Sequence, residues 1–446
     1  MDLHELWIYT VLILVIVAHY FYKKPFMVKD RFQQCKHWAI LSLLNFVLVS
    51  LLGVLLRYKI AFSFPQVNYK YLLNAHSHFA FSGWVSMAIF TAFVYMISEP
   101  GSPIKRTYRY QFNLGQMANF GMLISFLLQG YAAVSIGFST LSILFSYWFA
   151  WQYGKDLTQS KLPRVVKYCA RAALFFYVIS SAGPFLLGYI LSTKTYDNNL
   201  FHNAIYLFLH FQYNGWFTFG VLAVFFHVLH ARKILFAEKK GVLAFSILFA
   251  ACIPAYCLSI LWTNPPVWVF LLSASAGFAQ WIGVFIFIQL IYGIRKSLSK
   301  VAAGHVKTFW LLSLLAFFIK IVLQALSAIP VLGRYAFGIR PVIIGYLHLV
   351  VLGFISFFLV GYFLSEKLFR PVTGVSRAGS IIFIAGVLAN EIFLLLQGIF
   401  ALVGNGWSTS GIYLFIAAIT IFTGLLLLLI HQFCHRRISN DLLTLV

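Results

Sequence analysis

Acidic residues are nearly missing from this chain. Asp and Glu together number 10 among 446 residues, against 33 Lys and Arg, and charged residues make up only 10%. A soluble chain would carry about a quarter charged residues, so the shortage excludes an ordinary solvated globular domain. Cysteine is also scarce. Cys35, Cys169, Cys252, Cys257 and Cys434 are odd in number and form no Cys-x-x-Cys pair. That excludes a disulfide framework and a structural zinc site, and the lack of Cys-x-x-Cys-His excludes conventional covalent haem attachment. The basic leader of a secretory signal is missing too: the chain starts "MDLHEL", and its lysines follow the first apolar run, in "YKKPFMVKDR". This order reads as a retained span with its N-terminus outside. Period-2 alternation is absent, which excludes a membrane β-barrel. There is no low-complexity tract, no short-period repeat and no loop long enough for a soluble domain.

What is present is apolar. Hydrophobic residues reach 61% and mean hydropathy is +0.88, and almost every apolar run is long enough to cross a bilayer as a helix. The reading is an all-α polytopic membrane protein of about thirteen spans, near 6–22, 38–56, 74–97, 111–131, 133–152, 172–192, 201–229, 241–262, 267–294, 308–331, 341–364, 379–402 and 411–431. The net charge of +23 would suggest nucleic acid in a soluble protein. Here it arises from Lys and Arg in short loops, and no nucleic-acid partner is expected. Loops after odd-numbered spans hold roughly 26 basic residues and the opposite side roughly 6, which places the N-terminus outside and the C-terminus in the cytoplasm. A bacterial inner membrane is the expected host.

The topology gives each intramembrane histidine a depth. His76 and His78 in "NAHSHFAFSGW", His210 in "LFLHFQYNGWF" and His348 in "RPVIIGYLHLVVLGF" all fall roughly 5–15 Å below the outer surface, at 1.5 Å per residue. A histidine in lipid should face the bundle interior and have a partner. Taken singly, each reads as a hydrogen bond to a neighbouring carbonyl. As one level set on three helices they read as haem-iron ligands. His76 and His78 point about 200° apart around a helix, so only one of them can face a given iron. His227, His230, His305, His431 and His435 read as interfacial or solvated, and His19 and His202 carry no assignment. Two charges sit mid-membrane, Lys320 in "FFIKIVLQALSAIP" and Glu391 in "LANEIFLLLQG". They are expected either to pair with one another or to serve a proton path or quinone contact.

This pattern resembles the catalytic subunit of the haem-copper oxidases, the superfamily of cytochrome c and quinol oxidases and the nitric oxide reductases. Removing the extra first span (1–36) leaves the family's twelve-helix core (37–446). The resemblance implies that "AHSH" supplies one ligand of a low-spin b-type haem and that His348, the second position of a His-x-His here written Tyr346-Leu347-His348, supplies the other. His210 with Tyr213 is similar to the family's first copper-binding histidine and its following tyrosine. Arg334 and Arg340 would pair with haem propionates. The departures are a tyrosine at Tyr346, where the family places the high-spin haem ligand, and no histidine pair in "LSILWTNPPVW". The resemblance therefore implies an electron-transfer haem with most of the oxygen-reducing centre missing, and a quinol or cytochrome as redox partner. The rival readings are an active oxidase or nitric oxide reductase with a second haem or copper around His210, Tyr213 and Tyr346, a metal-free transporter or sensor, and a haem- or copper-handling assembly factor.

Overall fold

The computed structural model describes residues 30–433 apart from 196, 303 and 405, together with the side chains of all of these but 334 and 336. The expected span at 6–22 and Cys434 lie outside the described residues. A backbone in hydrocarbon must satisfy its own N–H and C=O groups, which leaves the helix as the way for apolar runs of this length to cross. The described residues are mostly helical, and there is no strand among them.

Among the described residues eleven helices are long and apolar enough to span a membrane: α1 (Arg31–Ala61), α2 (Tyr69–Ile97), α4 (Ala133–Gln159), α5 (Arg164–Thr193), α6 (Asn198–Ala231), α7 (Glu238–Thr263), α8 (Val267–Val301), α9 (His305–Leu326), α11 (Arg340–Ser365), α12 (Gly374–Leu402) and α13 (Ser410–Phe433). The expected span at 111–131 falls on α3 (Arg106–Gln129), whose Gln111, Asn113, Gln116 and Asn119 make it more polar than the eleven. A short helix, α10 (Pro330–Gly338), precedes α11.

The long helices form a closed ring in which each packs against the next, and α13 returns to α1. Three of them, α2, α6 and α11, also touch one another and form the centre. The apolar window of α2 is 83% buried and that of α6 89%, against 22% for the peripheral α4. Lipid-facing side chains such as Trp151, Leu271, Phe278 and Leu395 stand on the outer helices.

The three central helices share an irregularity that single-sequence inspection missed. Each changes to a wide π-helical turn immediately after a histidine: Phe79–Ser86 after His78, Phe211–Phe217 after His210, and Leu349–Ser356 after His348. The residues repeat in register as His78, Gly83, Trp84 and Ser86, then His210, Gly215, Trp216 and Thr218, then His348, Gly353, Phe354 and Ser356. A π turn misaligns backbone carbonyls, and such turns concentrate at functional sites. Here side chains take up the slack. Thr218 Oγ1 donates to Tyr213 O at 2.6 Å, Ser356 Oγ to Val351 O at 2.7 Å, and Asn45 Nδ2 to Gly83 O at 2.7 Å. Hydroxyls at this register also tie the centre together: Trp84 Nε1 donates to Ser356 Oγ at 2.8 Å and Trp216 Nε1 to Ser86 Oγ at 3.0 Å. Phe354 has no N–H to continue this pattern and instead stacks on Phe317 of α9 at 4.6 Å.

Candidate functional site

Asn68 caps the start of α2 by accepting from Lys70 N and Tyr71 N, and the third turn of that helix carries both histidines. Their directions differ as helical geometry requires. His76 turns to α1, where its Nδ1–H donates to Val49 O at 3.0 Å. His78 turns to α3: its ring stacks on Phe126 at 4.5 Å and its Nε2 hydrogen-bonds Tyr131 Oη at 2.6 Å. On α11, the Nδ1–H of His348 donates to Ile344 O at 2.8 Å. A carbonyl can only accept, so these bonds fix the tautomer of His76 and of His348 and leave each Nε2 lone pair unused.

His76, His348 and Arg57 lie within electrostatic range of one another. Both histidines are partly buried. Although α11 is central, its window is only 56% buried, and none of Arg340–His348 is fully buried. Gly53 of α1 faces the His76 ring, where a Cβ would stand 3.4 Å from its Cε1. Arg57 also lies in electrostatic range of Tyr69, Arg340 and Glu391. Arg340 Nη2 donates to Tyr69 Oη at 2.9 Å. Arg334 belongs to α10, and its side chain lies outside the described residues.

A second polar cluster lies between α6, α7, α9 and α11. His210 Nε2–H donates to Cys252 O at 2.8 Å, a carbonyl at the point where α7 tightens from α-helix to 3-10 helix at Pro254. The Nδ1 of His210 therefore accepts from Asn214 Nδ2 at 3.1 Å, and Asn214 Oδ1 accepts from Lys320 Nζ at 2.5 Å. Both imidazole nitrogens are thus occupied, and neither lone pair is left for a metal. At the expected second site the ring of His210 is thus held by protein partners on both sides. Tyr213 and Tyr346 do lie together, with ring centroids 5.9 Å apart, and Tyr346 Oη donates to Gln324 Oε1 at 3.3 Å. Among the described residues no group of three or more His, Cys, Asp or Glu could hold a metal ion.

The expected Lys320–Glu391 pair does not form. Lys320 is 1% exposed and donates to Asn214, whereas Glu391 Oε1 accepts from its neighbour Asn390 at 3.0 Å. The physical reason is placement, since α9 turns Lys320 to α6 while Glu391 lies near Arg57 of α1. His227, expected at a wetted interface, is buried instead, and its Nδ1 has no partner.

The Lys320 network makes a prediction of its own. Asn214→Leu would strand an ammonium and an imidazole nitrogen in the apolar interior, a loss of about 3–5 kcal/mol for a broken buried charge contact. Lys320→Met removes the charge itself and leaves only the amide oxygen of Asn214 unpaired, at about 1–3 kcal/mol. Thermal unfolding in detergent should therefore rank Asn214→Leu well below Lys320→Met, and the reverse order would contradict the network.

Sequence reasoning missed Arg57, Asn214 and Tyr131 as site residues. Arg57 sits near the end of an apolar run and reads there as an ordinary flanking base. No protein-family model and no curated protein matches the chain.

Proposed function

We propose that this chain is an integral membrane electron-transfer protein that holds one b-type haem between His76 and His348. The observation that carries the reading is the pair of neighbouring imidazoles on two central helices, each with Nδ1 committed to a carbonyl and Nε2 free, beside a segment of α11 that is nowhere fully buried. Two imidazoles with free Nε2 lone pairs would suit a low-spin haem iron. Held by both residues, the haem would supply one-electron exchange.

The other residues have definite tasks in this reading. Val49 and Ile344 carbonyls hold the two rings in the ligating tautomer. Arg57 and Arg340 supply charge-assisted hydrogen bonds for propionate carboxylates. Gly53 keeps the wall of α1 flat beside His76. His78, spent on Tyr131, is a packing residue. The resemblance to oxidase subunit I, the outward-facing N-terminus and the inner-membrane location belong to the same proposal, with a quinol or cytochrome as electron partner. The oxidase and nitric oxide reductase reading loses support because His210 has no free nitrogen.

The test is a haem and metal inventory of the detergent-purified full chain, with reduced-minus-oxidised and carbon-monoxide difference spectra. One haem per chain, a sharp reduced α-band and no carbon-monoxide shift are expected. A chain free of haem, or one with stoichiometric copper, would overturn the reading.

A further inference from the structure

A cavity lies away from the histidines, at the end of the bundle where the basic loops are. It measures about 370 Å³ and opens between α8 and α9, with α6 and α11 as its back wall. Its deep part is apolar: Leu222, Phe225, Phe287, Leu314, Phe317 and Phe354. The polar groups near that wall are already satisfied, since Trp310 Nε1 donates to Phe358 O and Ser313 Oγ to Phe354 O. No polar ligand is needed there.

The mouth has the opposite character. Arg295, Lys296 and Lys307 line it, all three exposed, and no Asp or Glu contributes to the lining. Arg295 is held in place by a hydrogen bond from Nη1 to Tyr292 O and by its guanidinium lying 3.8 Å over the Tyr292 ring. From Lys307 to Phe317 the cavity follows α9 for about 15 Å at 1.5 Å per residue. The site thus joins a three-cation rim to a dry apolar slot, and it opens sideways from the ring.

We infer that this cavity binds an anionic phospholipid of the bilayer leaflet on the basic-loop side. Its phosphate sits among Arg295, Lys296 and Lys307, and one acyl chain enters between α8 and α9 to reach the stacked Phe317 and Phe354. The charge of the rim selects this occupant: a neutral isoprenoid gives three unpaired cations nothing to bind, whereas basic pockets between membrane helices recognise anionic headgroups. The chain occupies a gap that would otherwise leave α6 and α11 facing a void.

The site is testable independently of haem. Full-length protein is delipidated in detergent, and bound lipid is weighed by native mass spectrometry before and after adding phosphatidylglycerol or phosphatidylcholine. Wild type is expected to retain one anionic lipid per chain and to gain thermal stability from phosphatidylglycerol alone. The Lys296→Gln/Lys307→Gln double variant should weaken that binding on the order of tenfold. Leu314→Trp, which fills the slot and leaves the rim intact, should block it. Equal binding of phosphatidylcholine, retention of a neutral isoprenoid in place of phospholipid, or undiminished phosphatidylglycerol binding in both variants would overturn the proposal. Size-exclusion profiles matching wild type establish that the variants are folded, and the haem spectrum should be unchanged in each.

Discussion

His348→Ala is expected to abolish the six-coordinate haem spectrum, and His76→Ala to do the same, while His78→Ala leaves it intact. The first two variants each remove one of the two imidazoles with an uncommitted Nε2. One remaining imidazole cannot keep iron six-coordinate, so any haem that stays bound becomes open to carbon monoxide. His78 differs from His76 by two positions in sequence and by nearly opposite directions in space, with its Nε2 on Tyr131. Difference spectra of the three variants, with and without carbon monoxide, read the assignment directly. If His78→Ala lost the α-band and His76→Ala kept it, the haem would belong on the α3 side of α2. Loss in all three would point to general disruption, and Tyr131→Phe, which removes only the partner of His78, would separate the two explanations.

The second large effect is expected where α12 meets α13. These helices approach so closely that a Cβ on Gly424 would stand 2.4 Å from the backbone N of Phe383 and 2.6 Å from its Cα. Across the same seam, a Cβ on Gly386 would come within 2.7 Å of Ile421 N. A backbone atom cannot turn aside as a side chain can, so the helices must separate. Membrane helices lack a hydrophobic drive to stay together and depend on such contact. Gly424→Leu should therefore lose about 3 kcal/mol or more, at the upper end for overpacking, and give little folded protein. Gly293→Ala is the matched control. Nothing lies within 4 Å of a Cβ there, and in a helix interior the change should be neutral or stabilise by about 0.5–1 kcal/mol. The measurements are monodisperse yield and thermal midpoint; a Gly424→Leu protein as stable as the control would mean that the seam is looser than described.

The all-helical class was legible because hydrophobic length is a property of local sequence, and lipid leaves the backbone few alternatives. The opposed directions of His76 and His78 were legible for the same reason, since helical periodicity is local. Partners across helices were not. Nothing near Lys320 in sequence indicates Asn214, and a mid-membrane acid made Glu391 the natural guess. The ring closes with α9 turned the other way, and an amide receives the ammonium instead. Arg57 was hidden because arginine at a span end is the commonest arrangement in membrane proteins. The π turns were hidden for a different reason: their sequences are good α-helix as well. Only the neighbours that absorb the displaced carbonyls, Asn45 for Gly83 among them, make the wide turn affordable.

The three π-turn helices have one more consequence. Each is the second member of four consecutive long helices: α1 to α4, α5 to α8, and α9 with α11 to α13. A group of four ends on the face where it began, so the next group enters the membrane from the same side. Every second helix then runs in the same direction, and a histidine at the same place on each must arrive at the same height. The shared position of His78, His210 and His348, each just ahead of a π turn, is therefore one placement made three times by counting. The divergence among them, to a tyrosine hydroxyl, to a lysine-linked amide and to an open nitrogen, measures how far three like sites have been turned to unlike ends.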